Sequence, residues 1–123
     1  MNNVALATIP SSDQTTLYIS AWAEYTIEQL KHIQFFILTK DRATLSVFES
    51  MLKKHNPSLV FMNGHGGPDL VCGHKDEELI KVGKNESLLK GTVTYALYCS
   101  SAKKLGPSAV KAGAVAYIGY NFA

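Results

Sequence analysis

Short apolar runs alternate with amphipathic stretches from about residue 15 to the end of the chain, and this alternation constrains the fold more than any other feature. A run of four to six apolar or β-branched residues suits a strand buried on both faces, whereas apolar residues recurring every three to four positions mark a helix. Thr16 to Ser20 reads as a first strand, and Ala21 to Ile33 as a helix with Ala23, Ile27 and Leu30 on one stripe and Trp22 in the core. Phe35 to Thr39 is a second strand. Leu45, Phe48, Met51 and Leu52 give a second helix that Pro57 must close. Leu59 to Met62 is a third strand, Leu70 to Val82 a hairpin, and Asn85 is placed to cap a short helix through Leu88 and Leu89. Val93 to Tyr98 is a fourth strand, Gly106-Pro107 opens a helix that Gly113 ends, and Ala114 to Tyr120 is the fifth strand.

Strands alternating with helices predict an α/β fold: a mostly parallel five-stranded sheet with helices on both faces, three layers in all, and a small β-hairpin. One domain over residues 1–123 is expected, with 1–14 as loop or weakly ordered chain. In such sheets ligands bind beyond the carboxyl ends of the strands, beside a topological switch point. The strand ends are therefore where functional residues belong.

Composition narrows the functional classes. The 123 residues are 46% hydrophobic and 18% charged, with a formal net charge of +2. No run has the 18 or more apolar residues of a membrane span, and the N-terminus lacks the basic start and apolar stretch of a secretory signal, so a cytoplasmic protein away from the membrane is expected. Among the 12 Lys and Arg residues only Arg42 is an arginine, and the acids are interspersed with the lysines. Nucleic-acid readout favours arginine and a segregated basic face, so no nucleic-acid partner is expected. Asn85-Glu86-Ser87 matches the glycosylation pattern but means nothing without a secretory signal. Two cysteines, Cys72 and Cys99, are too few for a disulfide scaffold.

Two strand ends carry unusual chemistry. Leu59-Val60-Phe61-Met62 runs into Asn63-Gly64-His65-Gly66-Gly67, and Val93-Thr94-Tyr95-Ala96-Leu97-Tyr98 runs into Cys99-Ser100-Ser101. If the two strands are parallel neighbours, about 5 Å apart, a histidine and a cysteine share one sheet edge. A thiolate is a nucleophile, an imidazole can activate it or protonate a leaving amine, and backbone amides at a glycine turn can hold an oxyanion. Gly66 leaves the amide beside His65 unobstructed, and the amide of Cys99 is the second donor because the chain leaves its strand there.

These motifs, with Leu105-Gly106-Pro107-Ser108-Ala109-Val110-Lys111-Ala112-Gly113-Ala114-Val115-Ala116-Tyr117-Ile118-Gly119-Tyr120 behind them, resemble the caspase-like cysteine peptidases of clan CD, the broad group of gingipain, clostripain, metacaspase and CHAT-like proteins. The resemblance runs from about Thr15 to Tyr120. It implies a caspase-like fold, a cysteine endopeptidase acting on a peptide or protein, and His65 and Cys99 as the catalytic pair with the Gly66 and Cys99 amides as the oxyanion hole. No cofactor is implied. The chain is not a caspase proper: Leu97-Tyr98-Cys99-Ser100-Ser101 replaces the Gln-Ala-Cys motif, and His65 stands closer to Cys99 than the spacing of about 50 seen in caspases. Leu97 also stands where metacaspases and clostripain-like enzymes carry an Asp two residues before the Cys.

Asp69, Ser100 and His74 are the candidate substrate-binding residues. Asp69 and Asp13 are the acids expected near the strand ends, both read as solvated loop carboxylates; the functional alternatives are a cation-selecting pocket or an orienter of His65. Cys72 and His74, at i and i+2 of one strand face, raise a metal reading that matches no standard spacing, so no metal site is expected. His32 and His55 are read as solvated, His55 favoured by a helix C-terminus. Because the group builds its substrate pockets from segments beyond the fifth strand, further domains of one polypeptide or a homo-oligomer are the expected complements. Two alternatives stand beside the peptidase: an inactive caspase-like regulatory or protein-interaction domain, and an unrelated flavodoxin-like domain, which the absence of a Gly-rich loop at Ser20-Ala21-Trp22 disfavours.

Overall fold

The computed structural model describes residues 2–97 and 100–120. Its elements in chain order are β1 (Val4–Ile9), α1 (Gln14–Gln29), β2 (Gln34–Thr39), α2 (Leu45–His55), β3 (Leu59–Asn63), β4 (Gly66–Gly67), β5 (Leu70–Cys72), β6 (Glu78–Lys81), β7 (Val93–Leu97), α3 (Leu105–Lys111) and β8 (Ala116–Ile118), with short 3-10 turns at Lys40–Arg42, His74–Asp76 and Glu86–Leu89. Five strands form one all-parallel sheet in the order β2-β1-β3-β7-β8, and β4, β5 and β6 form a small antiparallel sheet. The expected α/β architecture with a parallel five-stranded sheet, helices and a hairpin is present.

The first strand is Val4–Ile9, not Thr16–Ser20, and so residues 1–14, expected as loop, supply an internal strand between β2 and β3. Thr16 to Ser20 lie in α1 because Asp13 and Thr16 form a capping box: the Thr16 amide donates to the Asp13 carboxylate at 2.9 Å and the Asp13 amide to the Thr16 hydroxyl at 3.1 Å. Those bonds satisfy amides that a strand would have paired in a ladder. Ser20 is buried and its hydroxyl lies 2.6 Å from the Pro10 carbonyl and 2.7 Å from that of Thr16, tying α1 to the chain leaving β1. α1 ends at Gln29 rather than reaching Ile33.

Smaller corrections follow the same local logic. Asn85 does not cap the 3-10 turn after it; its side chain accepts from the Lys81 amide and donates to the Leu79 carbonyl, closing the turn after β6. α3 starts one residue before Gly106-Pro107, with Pro107 in the first turn, where a missing amide costs no helical bond. β8 is limited to Ala116–Ile118. His55 is not simply solvated, since its ring stacks on Phe36 with centroids 3.7 Å apart. Tyr98, the expected last residue of the fourth strand, is outside the described residues.

The sheet faces are unequally covered. One face carries Leu6, Val60, Met62 and Ala96, which pack with Phe48 and Leu52 of α2 and Leu105 and Ala109 of α3 into the main core. The other face carries Ala7 and Ile9, packed with Ala23 and Ile27 of α1. Beyond α1 that face continues as a groove of about 360 Å³ lined by residues including Trp22, Phe61, Tyr95 and Leu97. Trp22, expected in the core, is 75% exposed, and Leu17, Tyr18 and Tyr25 are exposed beside it on the helix.

Candidate functional site

β1 sends its chain through α1 to β2 on one side, while β3, paired with β1 on the other side, leads on to β7. The boundary between β1 and β3 is thus the switch point, where the loops leaving adjacent strands diverge and open a crevice. Both loops are held close at their roots. Asn63, the buried last residue of β3, donates from its side-chain amide to the Thr8 carbonyl of β1 at 3.1 Å. Gly64 then turns the chain with φ of +138°, and a Cβ there would lie 3.0 Å from both the Cys72 carbonyl and the Pro10 ring. Only glycine passes this gap without displacing one of them.

The turn presents His65. Its carbonyl accepts from the Cys72 amide at 2.8 Å, fixing the backbone to β5, while its ring Nε2 lies 2.7 Å from Oδ2 of Asp13 at the head of α1. Both side chains are partly exposed, 33% for His65 and 47% for Asp13. The two Asp13 oxygens divide their work: Oδ1 caps α1 through Thr16 and Oδ2 meets the imidazole. Asp13 is held down to about 2, chiefly by the Thr16 backbone amide, then by the hydrogen bond to His65 and the Thr16 hydroxyl. A carboxylate this acidic is ionised at neutral pH and only accepts hydrogen bonds.

Gly66 follows in β4, opposite Val71 of β5. Because the neighbouring position carries the bond from the Cys72 amide to the His65 carbonyl, the antiparallel alternation turns the Gly66 amide out of the ladder. Gly66 is exposed, so this donor is accessible beside His65.

The partner strand is in place. β3 and β7 pair in parallel with Leu59 opposite Val93 and, at the last matched position, Asn63 opposite Leu97. His65 and Cys99 each follow that final pair by two residues in sequence. Cys99 itself, with its amide, lies outside the described residues.

The other expected site residues are distributed around this point. Asp69 lies half-buried in the Pro68-Asp69 turn between β4 and β5, where its carbonyl accepts from Val82. The Pro68 carbonyl accepts from the amides of Lys104 and Leu105, so the turn is docked on the start of α3. Of the two acids named from sequence, Asp13 is the one bonded to His65. Ser100 is partly buried and accepts from Lys103 in the turn that leads to α3. His74 is partly buried: its amide donates to the Ala43 carbonyl, and its Nδ1 is buried without a hydrogen bond. It does not share a strand face with Cys72, because β5 ends at the buried Cys72 and His74 begins a 3-10 turn. Among the described residues, no three His, Cys, Asp or Glu side chains gather as metal ligands.

Asp13, one of the two acids the sequence offers as an orienter of His65, is set in place by the helix that starts where a strand over Thr16 to Ser20 is expected. The signal present in the chain was the Asp13-x-x-Thr16 spacing of an N-cap, which starts a helix where the strand was expected. In comparisons with known proteins, no family model, no curated protein and no solved structure matches the chain. Among the described residues no helix is long and apolar enough to cross a membrane.

Proposed function

We propose that the chain is a caspase-like cysteine endopeptidase domain in which Cys99 and His65 hydrolyse a peptide bond of a peptide or protein substrate. The observation that carries this reading is the register of β3 and β7, in which Asn63 lies opposite Leu97 at the last matched pair and His65 and Cys99 each follow that pair by two residues in sequence. The carboxylate on His65 and the outward amide of Gly66 add the accompaniments that acyl transfer needs.

In this reading the Cys99 thiol passes its proton to His65 as the sulfur attacks the scissile carbonyl carbon, whose oxygen gains negative charge that the Gly66 and Cys99 amides would stabilise. Collapse of that intermediate breaks the C–N bond and forms a thioester, while His65 delivers a proton to the departing amine. Water then attacks the thioester, giving up a proton to His65; the C–S bond breaks, the carboxylic acid leaves, and His65 returns that proton to the sulfur to restore the thiol. No metal, redox partner or cofactor enters the cycle. The proposed setting is the cytoplasm, with the substrate pockets completed by further chain or a second subunit.

A second reading is an inactive regulatory or protein-interaction domain, favoured by the exposed Tyr18, Trp22 and Tyr25 beside the apolar groove. Turnover of a fluorogenic peptide library separates the two. The peptidase reading expects hydrolysis that falls by at least about 100-fold in both Cys99→Ala and His65→Ala. Absence of turnover by the folded chain, or turnover equal in Cys99→Ala, overturns it.

A further inference from the structure

The geometry points to Asp13 as the positioning residue of the site: it holds His65 as the Nε2–H tautomer and leaves Nδ1 as the nitrogen that exchanges protons with Cys99 and substrate. The first part rests on the 2.7 Å contact between Nε2 and an ionised carboxylate; the second rests on the peptidase reading above. Three observations support it. An ionised carboxylate accepts but does not donate, which assigns the proton on Nε2. Asp13 cannot readily swing away, because Oδ1 accepts from the Thr16 amide and hydroxyl, both at 2.9 Å. The contact also lies at the switch point, where the β1 and β3 loops diverge, so the orientation of the imidazole is tied to the seating of α1 on the sheet.

The chemical consequence is directional. With Nε2 occupied, the lone pair of the neutral ring resides on Nδ1, and protonation there gives an imidazolium whose charge faces the Asp13 carboxylate. An asparagine at position 13 keeps an oxygen for the cap and replaces Oδ2 with a donor, which favours bare Nε2 and moves the proton to Nδ1. The nitrogen needed by the thiol would then be blocked by its own proton. Loss of the correct tautomer in an aspartate–histidine pair can cost a hydrolase about 10⁴-fold in kcat.

The test uses nitrogen-15 NMR of His65 in the whole chain together with steady-state kinetics. In the wild type His65 should appear as the Nε2–H form. In Asp13→Asn the Nδ1–H form should rise, with kcat lower by about 10²–10⁴-fold and KM within about twofold. Thr16→Ala, which removes the hydroxyl from the capping box but leaves Oδ2 alone, should lower thermal stability without changing the tautomer. Should Asp13→Asn fold poorly, Asp13→Ser provides a second capping side chain that is too short to span the distance to the ring. A wild-type His65 with bare Nε2, or an Asp13 variant that retains both the wild-type tautomer and kcat, overturns the assignment. If the wild type hydrolyses no peptide, the peptidase reading fails, and the NMR result alone decides the role of Asp13.

Discussion

Asp13 and His65, 52 residues apart in sequence, meet at 2.7 Å where the chain leaving β1 passes the chain leaving β3. The same aspartate caps α1, so one side chain joins the start of a helix to the imidazole of the candidate site. Its two roles make different measurable demands.

The first concerns acid. Asp13 is lowered from 3.8 to about 2, so the folded state binds its proton less readily than the unfolded chain. Its contribution to stability is therefore complete above about pH 4 and is lost as the pH falls toward 2. Asp13→Asn should be less stable than wild type at neutral pH, and the difference should shrink over that interval. Chemical denaturation at a series of pH values checks this; a difference constant from pH 7 to 2 contradicts it.

Gly73 is a steric requirement rather than a flexible joint. A Cβ built there would overlap the Ala43 carbonyl oxygen, a backbone atom that cannot move aside alone, and would crowd the Leu79 Cδ1 at 3.0 Å. Gly73→Ala should cost about 1–3 kcal/mol or more, because the segment after β5 must pull away from the chain entering α2. Displacement of this segment should also weaken the bond from the His74 amide to Ala43, read as faster exchange of the His74 amide hydrogen.

Phe48 and Trp22 should respond in opposite ways to truncation. Phe48 is fully buried in the main core, and Phe48→Ala should cost about 3–5 kcal/mol. Trp22 is 75% exposed on α1, at the edge of the apolar groove, so Trp22→Ser should change stability by no more than about 0.5 kcal/mol. The tryptophan emission of the folded chain should lie close to that of the denatured chain. Strongly blue-shifted emission contradicts an exposed indole.

The parallel strands that the sequence made plain are β2, β3 and β7, each a dense apolar or β-branched run bounded by turn residues. β1 was hidden because Val4-Ala5-Leu6-Ala7-Thr8-Ile9 includes two alanines, poor strand formers that are favoured here by burial between two neighbours. Thr16 to Ser20 misled in the opposite direction: β-branched and aromatic residues lie in a helix fixed by its cap and by the buried Ser20. His65 was legible because a glycine-flanked histidine directly after a buried strand has few structural purposes. The sequence offers Asp13 and Asp69 equally as an orienter of His65; the choice of Asp13 depends on β1 lying beside β3, which the alanine-containing Val4–Ile9 run does not signal.

The most direct measurement of the central proposal is the mapping, by mass spectrometry, of where an electrophilic peptidyl acyloxymethyl ketone attaches to the native chain. Cys72 serves as the internal reference because it is 6% exposed. The expected result is rapid alkylation of Cys99 with Cys72 spared, slowed by at least about tenfold in His65→Ala. Labelling of Cys72 as fast as Cys99, or labelling of Cys99 at an unchanged rate in His65→Ala, contradicts a Cys99–His65 catalytic pair.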